Sequence, residues 1–204
     1  MHRGPDGSGS VLQENAALFH TRLSIIDRAG GAQPMSSEDG FVHLSYNGEI
    51  YNFRELRNEL KALGYSFITS SDTEVLLVAY QQWGRHCLHR LEGMFAFAIL
   101  DLRKRELLLA RDHFGIKPLL YRITPECFAF ASELQAFRKL PDWSAEIDLR
   151  SIDLFLRYQY IPAPLTAFRN VFKLPAGHCM VVRYRLLRLP THVWRVVQTS
   201  HHHR

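Results

Sequence analysis

Apolar and polar positions alternate along residues 41–46 with the period of a half-buried strand, and Asn47-Gly48 follows as a turn signal. The period then changes. Phe53, Leu56, Leu60 and Leu63 recur at helical spacing behind Asn52 as N-cap, and Gly64 supplies a stop. A second helix opens at Ser71-Asp72-Thr73-Glu74, a capping box with Glu three residues after Ser, and Val75, Leu76, Val78 and Ala79 give its apolar face. Two apolar runs, residues 94–100 and 106–110, flank a charged turn at 101–105 and predict a β-hairpin. Residues 118–122 and 127–131 predict another strand pair, and Ser132 caps a helix reaching Leu140. Upstream, residues 16–26 predict one or two strands, whereas the Gly-rich stretch 2–10 and residues 29–40 read as loop. Strands, two helices and then several adjacent strands favour an α+β fold with largely antiparallel sheets over a doubly wound parallel one.

The composition changes near residues 141–148, a helix is predicted over Leu149–Tyr158, and the Pro-rich stretch 161–164 reads as a linker into a second region. With 204 residues, 47% hydrophobic and 22% charged, the chain can bury a sizeable core. The formal charge of +5 invites a nucleic-acid or membrane partner, but the basic residues are spread out and no binding motif accompanies them. No apolar run spans a bilayer, and the polar start is no signal peptide. The sparse cysteines Cys87, Cys127 and Cys179 form no zinc spacing and fit a reducing compartment, so cytoplasmic residence and no metal are expected.

Several short segments, taken in order, carry the chemistry. They are Arg3-Gly4-Pro5-Asp6, then His20-Thr21-Arg22-Leu23-Ser24-Ile25-Ile26-Asp27, then Asn47-Gly48-Glu49-Ile50-Tyr51-Asn52, then Ser71-Asp72-Thr73-Glu74. Gly93-Met94-Phe95-Ala96-Phe97-Ala98 and Arg111-Asp112-His113-Phe114-Gly115-Ile116-Lys117-Pro118-Leu119 follow. Together they resemble the class II glutamine amidotransferases, a branch of the N-terminal-nucleophile hydrolases, over about residues 2–140. Residues 156–164 with 172–178 resemble the entry to the synthetase domain of glutamine-hydrolysing asparagine synthetases.

The resemblance implies a four-layer αββα sandwich of two mainly antiparallel sheets flanked by helices, with the first strand missing. It implies residues 1–140 as the glutamine amidotransferase domain, 141–183 as a linker and the start of a synthetase domain, and 184–204 as a divergent tail. L-glutamine is the implied partner, with a homodimer allowed and nucleic acid and membrane excluded. Asn47 and Gly48 match the oxyanion-hole positions, a side-chain amide followed by an accessible backbone N–H. Read alone, Asn-Gly is a tight hairpin turn. Arg22 matches the residue that grips the α-carboxylate of glutamine, with Leu23, Ser24, Ile25 and Ile26 completing the wall. Asp72, with Glu49 and Gly48 nearby, matches the acceptor of the α-ammonium, and it equally suits the first turn of a helix.

The family's nucleophile is an amino-terminal cysteine whose α-amino group serves as base. Position 2 is His2 here, and none of the three cysteines is terminal, so this chain is expected to be inactive. Its pyrophosphate-binding loop is also absent. No cofactor is expected in this chain; ATP and Mg are expected of a complete parent enzyme that turns aspartate and glutamine into asparagine and glutamate. The alternatives are a non-catalytic glutamine-binding or interaction module, or an amidotransferase relative acting on another carboxylate.

Overall fold

The computed structural model describes residues 4, 6–13, 15–22 and 31–183, together with the backbone of 195–200. In chain order the elements are β1 (Gly7–Gln13), β2 (Ala16–Arg22), β3 (Met35–Ser36), β4 (Val42–Ile50), α1 (Phe53–Ala62), α2 (Asp72–Trp83), a 3-10 segment Gly84–Arg90, β5 (Gly93–Asp101), β6 (Glu106–Arg111), β7 (Leu120–Ile123), β8 (Phe128–Ala131), α3 (Leu134–Phe137), α4 (Leu149–Tyr158), β9 (Phe172–Lys173), β10 (His178–Arg183) and β11 (Arg195–Ser200). All strand pairs are antiparallel. One sheet has the order β11-β10-β6-β5-β4-β3, a second is the hairpin β1-β2, and a third is β8-β7-β9. This is the expected α+β class. Beyond the composition change at 141–148 the chain returns to the sheets, since β9 pairs with β7 and β10 with β6. No helix among the described residues is long and apolar enough to cross a membrane.

The period-two alternation of β4 and β5 sorts their side chains onto two cores. Leu44, Tyr46, Ile50, Phe95, Phe97 and Ile99 face one cluster, which includes Leu56 and Leu60 of α1 and Val75, Leu76 and Ala79 of α2. Ala96, Ala98 and Leu100 face the other, together with Leu18 of β2, Leu109, Met180 and the partly buried Tyr121 and Phe130. The six-stranded sheet is therefore a middle layer, with helices on one face and the smaller sheets on the other.

Several local expectations change. Residues 7–13 form a strand rather than a loop, since pairing with β2 satisfies their backbone despite the weak composition. Gly9 is a close-approach glycine: a Cβ there would sit 2.3 Å from Gln33 O. Asn47-Gly48 is not a turn but lies inside β4, with Asn47 opposite Ala96 and Gly48 opposite Phe95. Asn52 makes no cap bond; it donates to Arg90 O (2.8 Å) and accepts from the Glu92 amide (3.1 Å). The helix after Ser132 is regular only over Leu134–Phe137 and continues as three-residue turns to Leu140, ahead of Pro141. The capping box is half realised. Ser71 Oγ accepts from the Glu74 amide (3.3 Å), while the Glu74 carboxylate accepts from the amides of Ile68 and Thr69 (both 2.7 Å). α2 is buried all round from Asp72 to Tyr80, more than its one-sided pattern predicts.

Candidate functional site

The site lies on the edge of β4 beyond the reach of β3. The pairing of β3 covers only His43 and Leu44, so the β4 backbone from Ser45 onward has a ladder partner on one side only. On that open side the amide of Tyr46 donates to Gln33 Oε1 (2.6 Å) and the amide of Ile50 to Asp72 Oδ2 (3.1 Å). Backbone groups two residues apart in a strand point the same way, so the Gly48 N–H between them faces the same open edge. Its opposite number confirms the register. The amide of Phe95 donates to Asp112 Oδ2 (3.3 Å), and its carbonyl accepts from the Asp112 amide (2.8 Å), so Gly48 and Phe95 do not bond each other.

Gly48 is required here by space. A Cβ would lie 2.2 Å from Met94 O, 2.7 Å from Phe95 Cα and 3.0 Å from Cε2 of Tyr46. Asn47 and Glu49 are half-buried and share the opposite face of β4 from Tyr46, the face turned toward β2.

Two anchors fix the β1–β2 hairpin against that face. Gln13 Nε2 of β1, opposite Ala16 at the start of β2, lies 3.5 Å from His43 Nε2, and His20 Nδ1 of β2 lies 3.1 Å from Ser45 Oγ. Moving along β2 toward Arg22 is therefore moving along β4 toward Asn47, and His20 and Arg22 share one face of their strand. Their partners on β1 are Gly9 and Gly7, which put no side chains beside them. Gly4 packs onto the Thr21–Arg22 peptide, where a Cβ would come within 2.3 Å of Thr21 C, and the Asp6 amide donates to Arg22 O (3.1 Å). The Gly4 and Asp6 positions thus hold the end of the strand that carries Arg22. Burial, helped by the positive charge of Arg22, pushes the His20 imidazole down to about 4 and keeps it neutral at physiological pH.

Asp72 approaches from the helical layer. It is buried (4% exposed) at the first position of α2, and Oδ2 accepts both the Tyr46 hydroxyl (2.8 Å) and the Ile50 amide. Leu23, Ser24, Ile25 and Ile26 lie outside the described residues, as does His2. Of the remaining expected residues, Asn47, Gly48 and Glu49 lie along β4 and Asp72 reaches the same edge from α2, while Arg22 ends β2 two residues beyond the His20–Ser45 contact. Sequence reading missed Gln33, Ser45, Tyr46 and the role of His20. Of these, only His20 was signalled, by its two-residue spacing from Arg22.

The edge combines an open backbone N–H, a side-chain amide and carboxylates, with the guanidinium-bearing Arg22 at the end of the neighbouring strand, a set that suits a carbonyl oxygen, a carboxylate and an ammonium. Those are the groups of an α-amino acid carrying a second carbonyl. The fold and this edge define an antiparallel amidotransferase-type sandwich. A family model, the glutamine amidotransferase domain, matches residues 1–194, and the chain belongs to that family. It is 42% identical over 183 residues to asparagine synthetase [glutamine-hydrolyzing] 1 of Bacillus subtilis, covering 90% of this chain and 29% of the relative. It is 42% identical over 163 residues to asparagine synthetase B of Escherichia coli, covering 74% of this chain and 29% of that relative. The chain thus spans under a third of the length of these relatives. Among solved structures, a glutamine phosphoribosylpyrophosphate amidotransferase from B. subtilis superposes with TM-score 0.57 at 22% identity, covering 82% of this chain and 32% of that one, a likeness of fold.

Proposed function

We propose that this chain is the glutamine-holding part of an asparagine-synthetase-type amidotransferase. The observation that carries the reading is the Gly48 N–H, turned to an open strand edge between two amides whose acceptors are Gln33 and Asp72. A carboxamide oxygen of L-glutamine would accept from Gly48 and Asn47, its α-carboxylate would meet Arg22, and its α-ammonium would meet Asp72 with Glu49. The nitrogen acceptor, and ATP chemistry with Mg, would belong to the length that the longer relatives have in addition.

This polypeptide binds glutamine in the proposed reading without cutting it through a thiol of its own. Cys87 and Cys179 are buried in the core on the helical side of the six-stranded sheet, away from Asn47, and burial pushes the Cys87 thiol up to about 12. Cys127 sits in the turn that Thr124 closes at the start of β8. L-glutamine at millimolar concentration should raise the melting temperature of the purified chain, whereas D-glutamine should not, and no glutamate should accumulate. An Arg22→Ala variant should lose the shift, because a charge-assisted bidentate contact is worth about 1.5–3 kcal/mol. A full shift in that variant would sink the assignment of Arg22, and steady glutamate release would sink the claim of binding alone.

A further inference from the structure

Asp72 is held in a way that a helix-capping carboxylate does not need. A first-turn acid that only complements the helix dipole can sit in solvent. Asp72 instead is 4% exposed, and two donors from one strand, the Tyr46 hydroxyl at 2.8 Å and the Ile50 amide at 3.1 Å, both land on Oδ2. The carboxylate is thus rotated about a fixed oxygen, and Oδ1 is the oxygen left to meet a ligand. Tyr46 does two further things. Its ring edge lies over Gly48, with Cε2 3.0 Å from the point a Cβ would occupy, and its own amide is tied to Gln33 Oε1 at 2.6 Å. The side chain is 3% exposed, so it cannot turn away without opening the core around Leu44 and Ile50.

We infer that Tyr46 is a positioning residue for the binding edge, aiming the Asp72 carboxylate at an α-ammonium while its ring backs the Gly48 peptide. Resting on the glutamine reading, this assigns to Tyr46 the discrimination between an α-amino acid and the same amide lacking its amine. No proton is transferred. The hydroxyl donates to Asp72 Oδ2, and a hydrogen bond to a carboxylate is stronger than a neutral one.

The test is Tyr46→Phe, which keeps the ring and removes one donor. Affinities of the purified chain for L-glutamine and for glutaramate, which lacks the α-amine, are measured by calorimetry on wild type and variant. L-glutamine should bind about tenfold more weakly to the variant, while glutaramate changes less than about twofold. The ratio of the two affinities is the readout, because a purely structural hydroxyl would lower the melting temperature and leave the ratio alone. An unchanged ratio with glutamine still bound overturns this inference and leaves the glutamine reading standing. A wild-type chain that binds neither compound overturns both. Should the variant not fold, the wild-type chain still decides it: the Tyr46 hydroxyl proton resonance should move on adding L-glutamine and stay put with glutaramate, and the reverse refutes the assignment.

Discussion

At the scale of single residues, the layer between β2 and β4 holds two histidines whose burial disfavours the charged form. His20 meets Ser45, and His43 lies 2.7 Å from Ser36 Oγ; burial lowers the affinity of both imidazoles for protons. The unfolded His20 titrates near 6.5 and the folded one at about 4. Between those values the unfolded chain takes up a proton that the folded chain refuses. Stability should therefore be level above about pH 6.5 and fall as the pH drops toward 4. At a half-buried ring partly screened by solvent the His20 share is about 1–2 kcal/mol. Urea unfolding at stepped pH checks this, with His20→Gln expected to flatten the fall; an equally steep loss in the variant would exclude His20 as its source. Arg22, Asn47, Gly48, Glu49 and Asp72 could be singled out because each sits in a short ordered segment. Tyr46, Ser45 and Gln33 were not, because each acts on a group far away in sequence, and no local period reports a partner across a sheet.

At the scale of elements, the segment 111–117 shows how a loop can control a strand edge. Arg111 donates to three carbonyls, of Lys117, Leu174 and Gly115, each at 2.7 Å. Asp112 is fully buried and its carboxylate accepts from the amides of Phe95, Phe114, Ile116 and Lys117. The loop thus has its backbone satisfied by two of its own side chains, and it grips β5 at Phe95, the residue opposite Gly48. That grip takes up the Phe95 backbone on the side away from β4. Asp112→Ala would leave the buried amide of Phe95 and the part-buried amides of Phe114, Ile116 and Lys117 without their acceptor and should cost about 3 kcal/mol, a fall in melting temperature of about 6–12 °C. Calorimetric scanning measures it, and a drop below about 2 °C would mean that water replaces the carboxylate. The hairpin of β5 and β6 and the helices α1, α2 and α4 were readable from the apolar period and the residues that bound it. β1 was not, because small polar residues carry no strand signal until a partner supplies the hydrogen bonds. Nor was the interior position of Asn47-Gly48: the local signal for a turn was overridden by the backbone of β5, which lies too close for any Cβ.

At the scale of the molecule, the proposed binding edge depends on a joint between layers that its own residues do not make. β2 brings Arg22 to β4, yet among the described strands it is paired only with β1 and closes no ladder to the large sheet. What seats the hairpin is Leu18, 2% exposed in the second core cluster beside Ala96 and Ala98, assisted by the partly buried Val11 and Ala16. Truncating Leu18 removes about 2–5 kcal/mol from a fully packed site. The loss should not spread evenly. The strands β5, β6 and β10 are held on both faces, whereas β1 and β2 can lift as a unit, so the cheapest opening is local. Leu18→Ala should therefore speed amide hydrogen exchange across Ser8–Thr21 by one to two orders of magnitude, while the amides of Ile99 and Leu109 keep their protection. It should also weaken L-glutamine binding, because an Arg22 on a lifted hairpin must be re-seated before it can grip a carboxylate, and that re-seating is subtracted from the affinity. Exchange and affinity would then move together across a series Leu18→Val, Leu18→Ala and Leu18→Gly. Faster exchange at unchanged affinity would show instead that Arg22 reaches its place without β2 being seated, and would separate the binding edge from the second core.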